Sequence, residues 1–267
     1  VSFDVTEENS TQEGGITLIK VDKPNMAQKG TISVEKTGEV FFGVNVSGEE
    51  DEDVIYQPVY KVKGLAGAVY EITADEDVIT PDGTLRYHKG DVVDTVTTDE
   101  DGTAKSKELY LGKYNVVETK APTGMVINKE KHSVELTYAG QDVAVTETAT
   151  SFVNERQKVK ISLEKILEQD EIFGIGKNNE IKNISFGLYA KEEVVSSSGT
   201  VFPADGLIEI ITLDENEAAT ANTDLPFGSY YIKEIATDEH YILSDIQYPF
   251  TFKYAGQDTE TVEIKVN

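Results

Sequence analysis

The sequence predicts an all-β protein of two tandem domains, and three observations carry that expectation. Val, Ile, Thr and Tyr recur in short alternating runs, the pattern of a half-buried strand. Turn signals such as Pro81-Asp82-Gly83, Asp101-Gly102 and Ala139-Gly140-Gln141-Asp142 punctuate those runs, whereas segments with a helical apolar stripe are scarce, residues 163–170 coming nearest. A set of landmarks also occurs twice in the same order. Many short strands at this spacing predict a sandwich or barrel.

The landmarks define the two units. Ile32-Ser-Val34-Glu-Lys36 matches Ile161-Ser-Leu163-Glu-Lys165, and Val69-Tyr70 is aligned with Leu188-Tyr189. Leu111-Gly-Lys-Tyr114-Asn-Val-Val-Glu118 matches Phe227-Gly-Ser-Tyr230-Tyr-Ile-Lys-Glu234, and Tyr138-Ala-Gly-Gln-Asp142 returns unchanged as Tyr254-Ala-Gly-Gln-Asp258. Each copy closes on Val-Asn, at Val153-Asn154 and Val266-Asn267. The offsets are 129 at the Lys, 119 at Val-Tyr, 116 at the Glu and 113 at the Asn. The largest difference falls between Lys36 and Val69, around Gly48-Glu-Glu-Asp-Glu-Asp53, which reads as a solvated loop insertion. The expected domains are residues 30–156 and 157–267, joined by the short linker Glu155-Arg-Gln-Lys-Val159. Residues 1–29 read as a connector or the last strand of a preceding domain, from the alternation of Val1, Phe3 and Val5 and a strand near 15–20.

Composition narrows the function. The 267 residues suffice for two modest cores. With 49 acidic against 24 basic residues the formal charge is −25, which repels phosphate backbones and anionic headgroups; neither nucleic acid nor membrane insertion is expected. The absence of cysteine excludes disulfides, zinc ribbons and thiol catalysis. No apolar run reaches membrane-spanning length, and no signal-peptide pattern opens the sequence, which reads as a piece of a longer chain.

Three polar residue types conflict with strand patterning. Residues two apart share a face, so Lys36 follows Ile32 and Val34 inward, and Lys165 follows Ile161 and Leu163. Glu118 likewise shares a face with Tyr114 and Val116, and Glu234 with Tyr230 and Ile232. A buried ammonium loses its proton or finds a partner, and a desolvated carboxyl resists ionisation. Asn154 and Asn267 each break the alternation after a valine, which calls for a bulge to turn them inward.

This pattern resembles the collagen-adhesin B-type domain, also called the SpaA-like or prealbumin-like domain, of Gram-positive stalks, adhesins and pilins. The most specific match is the box Tyr-x-x-x-Glu-x-x-Ala-Pro-x-Gly, present as Tyr114-Asn-Val-Val-Glu118-Thr-Lys-Ala121-Pro122-Thr-Gly124; the second copy keeps Tyr230 and Glu234 but loses the Pro-Gly turn. The resemblance implies a reverse immunoglobulin-like sandwich with Lys on the first strand and Asn on the last. It further implies Lys–Asn isopeptide bonds, Lys36 to Asn154 assisted by Glu118 and Lys165 to Asn267 assisted by Glu234. In this chemistry the buried amine acts as nucleophile while the Glu polarises the amide carbonyl and carries protons. Each domain would act once, on itself, with no cofactor and no metal. The expected role is a stalk segment of an extracellular, cell-wall-anchored protein, its partners being neighbouring domains of the same protein.

Other readings stand beside it. Tyr56, Tyr60, Tyr87 and His88 lie in segments that could form a surface for a host matrix protein or glycan. A shaft subunit of a sortase-assembled pilus is a further alternative, although neither a sorting signal nor a pilin-type lysine motif is present. His88, His132 and His240 form no triad or metal pattern, and Asp99-Glu-Asp101-Gly102 lacks the spacing of a calcium loop.

Overall fold

The computed structural model describes residues 4–20, 25–48, 54–172, 174–176, 179–214 and 218–266. Strands dominate, and among these residues the one helical segment is a 3-10 turn at Glu180–Asn183.

The first unit is a two-layer sandwich. In one layer the long strand Lys29–Ser47 pairs in parallel with Val145–Asn154 and antiparallel with Thr103–Lys105, Leu109–Tyr110 and Ile55–Gly64. The other layer runs Lys131–Leu136, Gly112–Lys120, Val69–Ala74, Val92–Thr97, all antiparallel. Alternation places Ile32, Val34, Tyr70, Ile72, Tyr114 and Val116 between the layers, all at most 1% exposed. The second unit repeats the plan: Lys158–Glu164 pairs in parallel with Thr261–Val266 and faces the sheet Leu207–Thr212, Ser185–Ala190, Gly228–Ala236, Gln247–Phe252. The repeated tyrosines have a shared task. Tyr114 donates its hydroxyl hydrogen to the carbonyl of Tyr110, and Tyr230 donates to that of Pro226, pinning the chain at the start of each strand.

Strand pairing corrects the alignment of the two copies. Glu118 pairs with Tyr70 and Val116 with Ile72, whereas Glu234 pairs with Phe186 and Ile232 with Leu188. Phe186, not Tyr189, is therefore the counterpart of Tyr70. The offset falls once, from 129 at Lys36 and Lys165 to 116 at Tyr70 and Phe186, and stays at 116 through Val145 and Thr261, which pair with Lys29 and Lys158.

All of that length difference lies in one element, and it is not merely a solvated loop. Residues 37–64 form a long antiparallel arm built from the ends of Lys29–Ser47 and Ile55–Gly64; the acidic residues 49–53 lie outside the described residues. The arm leaves its own domain and packs Phe41, Val44 and Tyr56 against the second core, with Phe41 stacked on Phe202 at 5.6 Å. Ile55 pairs with Leu207, and Ser197 and Ser198 donate backbone hydrogen bonds to Phe41 and Phe42.

A second joint links the domains. The loop after Glu118 meets the second Tyr-Ala-Gly-Gln-Asp turn: Gln257 accepts from Ala121 N through its side chain (2.9 Å) and from Ile127 N through its backbone (2.9 Å). Lys129 pairs with Asp258 at 2.8 Å, and Tyr254 donates to the Met125 carbonyl. Gly124, at φ +90°, lies where a Cβ would come within 3.0 Å of the Phe227 ring, so this approach favours glycine. In the linker, Arg156 forks onto Asp224 and stacks over Tyr60 at 3.6 Å. Gln157 holds the turn by donating to the carbonyls of Gly256 and Thr259 and accepting from Ala255 N.

Ahead of the first unit, the strand expected near residues 15–20 is present as Ile16–Ile19. Ser10–Glu13 and Ile16–Ile19 form a small hairpin across Gly14 and Gly15, with Ile16 and Leu18 exposed; Val1 and Phe3 lie outside the described residues.

Candidate functional site

Lys36 sits where its strand changes neighbours. Residues 33–35 pair with Thr103–Lys105, and residues 37–47 pair with Ile55–Gly64. Between them, Lys36 N donates to Gly102 O (2.7 Å) and Lys36 O accepts from Leu65 N (3.0 Å). Gly102 adopts φ +79°, and a Cβ there would lie 2.3 Å from the Lys36 carbonyl. The Asp101-Gly102 turn thus closes over the lysine backbone. The Asp99 side chain serves the turn, accepting from Asp101 N and Thr103 N.

The lysine, the glutamate and the asparagine of the first domain meet in the core. Lys36 is fully buried, and Glu118 and Asn154 are each 2% exposed. Lys36 Nζ donates to Asn154 Oδ1 and lies 3.1 Å from Glu118 Oε1. Asn154 Nδ2 donates to both carboxyl oxygens, at 3.0 and 2.9 Å, and Asn128 N holds Glu118 Oε2 at 2.7 Å. The carboxyl therefore faces the amide nitrogen rather than the carbonyl oxygen, which Lys36 occupies. Burial lowers the Lys36 pKa, against the opposing pull of the Glu118 charge and hydrogen bond.

Asn154 turns inward without a bulge. It pairs with Gly38 in an unbroken parallel register with Phe152 opposite Lys36, so Phe152 and Asn154 point in while Val153, 61% exposed, points out. The sequence reading missed the aromatic lining. The rings of Tyr70 and Phe152 lie 6.0 and 5.9 Å from Nζ and pack on each other at 4.8 Å. Phe152 lies opposite Lys36 in the pairing, a signal that emerges only once the register is known.

The second domain assembles two of its three expected residues. Lys165 Nζ lies 3.4 Å from Glu234 Oε1, and Ser244 N donates to Glu234 Oε2 at 3.0 Å, as Asn128 does to Glu118. Glu234 is buried, but the Lys165 side chain is 28% exposed. Asn267 lies outside the described residues. The register still constrains its domain: Leu163 pairs with Val266 as Val34 pairs with Thr150. Asn154 stands four residues after Thr150, so its register counterpart falls four residues after Val266, past Asn267.

The other candidates disperse. Tyr56 and Tyr60 belong to the arm, and Tyr60 donates to the Asp224 carbonyl in the joint. Tyr87 packs on Tyr110 and Tyr114, and His88 is exposed beside Asp77 at 3.8 Å. His132 stacks on Phe152, and His240 bonds Asp238. Among the described residues no group of acidic and histidine side chains could hold a metal ion. Nor is any helix there long and apolar enough to cross a membrane.

The family model described as the SpaA prealbumin-like fold domain matches residues 59–150 and again 173–267. The chain belongs to this family. The matched spans of the two SpaA-type domains include Glu118 and Glu234 but neither Lys36, Asn154 nor Lys165. Among solved structures, the Bacillus anthracis TIE protein aligns at 20% identity and TM-score 0.53, over 90% of this chain and 34% of that one. The chain thus spans about a third of that relative's length. A streptococcal ancillary pilin aligns at 19% identity and TM-score 0.30 over 99% of this chain and 69% of that one. The shaft pilin SpaA of Lactobacillus rhamnosus GG aligns at 13% identity and TM-score 0.30, over 90% and 97%. A search of curated proteins finds no match.

Proposed function

We propose that the chain is a stalk segment of a cell-wall-anchored surface protein whose first domain cross-links itself once, through an isopeptide bond between Lys36 and Asn154. The observation that carries this reading is a lysine, a glutamate and an asparagine in mutual contact in an apolar core. Lys36 Nζ, as the neutral amine that burial favours, attacks Asn154 Cγ. The Nζ–Cγ bond forms, the Cγ–Nδ2 bond breaks, and ammonia leaves. Glu118 touches both the nitrogen that gives up a proton and the nitrogen that receives one, so it carries the proton between them. Fixed contact replaces a bimolecular encounter, and no cofactor enters the balance. The bond would tie the first strand to the last, so that pulling force crosses the domain without unravelling it.

Lys165 and Glu234, 3.4 Å apart, are the candidate pair for the same chemistry in the second domain. Asn267 is their candidate partner from the sequence, while the strand register favours a residue beyond it. Intact mass decides both domains. The first bond removes the mass of one ammonia, Glu118→Ala restores it, and loss of a second ammonia that Lys165→Met abolishes assigns Asn267. An unmodified mass for the wild type sinks the cross-link and leaves the stalk reading to the fold alone.

A further inference from the structure

The first domain carries a second copy of the joint's acceptor half, unoccupied among the described residues. Gln28 holds the turn 138–142 as Gln157 holds 254–258: it donates to the carbonyls of Gly140 and Val143 and accepts from Ala139 N. Gln28 and Gln157 are offset by 129 and the two turns by 116, the same offsets that relate the paired strands. The groups that grip the incoming loop in the second domain are Tyr254, Gln257 and Asp258; Tyr138, Gln141 and Asp142 are their counterparts.

Occupancy separates the two sites. Tyr254 and Gln257 are half-buried beneath the first domain, whereas Tyr138 is 62% exposed and Gln141 and Asp142 are exposed. Among the described residues no hydrogen bond or ion pair engages the side chain of Gln141 or Asp142. The linker shows the same vacancy. In the joint, Glu155 O accepts from Val126 N and Gln157 N donates to Gly124 O. Their counterparts Met26 O and Gln28 N have no such partner among the described residues, and Met26 is 90% exposed.

We infer that the face formed by Tyr138, Gln141, Asp142 and the backbone of residues 26–28 docks a preceding SpaA-type domain, through a loop of the kind found here at 121–129. That loop carries an Ala whose N–H reaches Gln141, a Gly that permits close approach, and a Lys that pairs with Asp142. The second domain of another copy fits less well, because the position equivalent to Lys129 is Asp245, which would meet Asp142 as a like charge. The inference stands independently of the cross-link.

A single loop offers little contact, so the test supplies it in tethered form, at high effective concentration. A copy of the sequence of residues 121–129 is fused ahead of Val1 through a flexible Gly/Ser linker in the full chain, and amide exchange is followed at residues 138–143. The expected result is exchange slowed at least several-fold relative to the unfused chain, with Asp142→Lys and a scrambled loop both returning it to that baseline. Unchanged exchange, or slowing that survives Asp142→Lys or scrambling, overturns the inference. So does concentration-dependent dimerisation of the unfused chain that Tyr138→Ala abolishes, which would assign the face to a second copy.

Discussion

Glu118→Gln tests the cross-link through stability as well as mass. The Lys36–Asn154 bond would span a sequence separation of 118 residues. Chain-entropy treatment of a cross-link over such a loop gives about 5 kcal/mol, by penalising the unfolded state. For a domain of this size that corresponds to a melting shift of about 15–25 °C. The substitution is nearly isosteric, and its one carbonyl oxygen can still accept from Asn128 N or Asn154 Nδ2. The lost hydrogen bonding to the carboxyl is worth about 1.5–3 kcal/mol, so the loop contribution is still the larger. Lys36, already biased by burial toward the neutral amine, can release its proton when the carboxyl disappears. The assay is intact mass followed by thermal unfolding of the same samples. A Glu118→Gln chain that still loses ammonia, or one that keeps it yet melts with the wild type, refutes the reasoning.

Three further outcomes follow from the geometry. Asn154→Ala leaves Lys36 free with a lowered pKa, so the unfolded chain binds more protons than the folded one between that lowered value and the ordinary 10.5. Its stability in urea should therefore rise with pH across that window and fall as pH drops through it, a slope the wild type lacks if its nitrogen is held in an amide. Arg156→Ala removes the fork onto Asp224 and the stack on Tyr60. With Asp224 partly in water the loss should be about 1–3 kcal/mol, read by denaturant melts and by faster amide exchange at Tyr60 and Asp224. Gly124→Val places a branched side chain at positive φ against Phe227. It should cost about 1–3 kcal/mol and speed exchange at residues 254–259 while sparing the core around Val116.

Much of the site was legible because strand periodicity is strict. Alternation alone gives Ile32, Val34 and Lys36 one inward face and Tyr114, Val116 and Glu118 another, and all six are buried. Asn154 is harder to read because Val153 is apolar: hydrophobicity points the valine inward, but the parallel pairing with residues 36–38 sends it to solvent. Leu188-Tyr189 mimics Val69-Tyr70 locally, and only the pairing of Leu188 with Ile232 and of Phe186 with Glu234 shows that Leu188 matches Ile72. The arm is not legible in the local pattern: Val40-Phe41-Phe42-Gly43-Val44 does not alternate, and the register shift between Phe41 and Gly43 is what lets Phe41 and Val44 both reach the second core. Its contacts lie in another domain, which no local pattern encodes.

The arm also bears on how the protein is made. A chain synthesised from its N-terminus exposes residues 37–64 before the core of the second domain exists. Until then Phe41, Val44 and Tyr56 face water, and the strand Ile55–Gly64 presents an open edge guarded by Pro58, Lys61 and Lys63. Pieces ending near Arg156 should accordingly be sticky when produced alone, and the second domain serves the first as a built-in escort that covers its apolar hairpin.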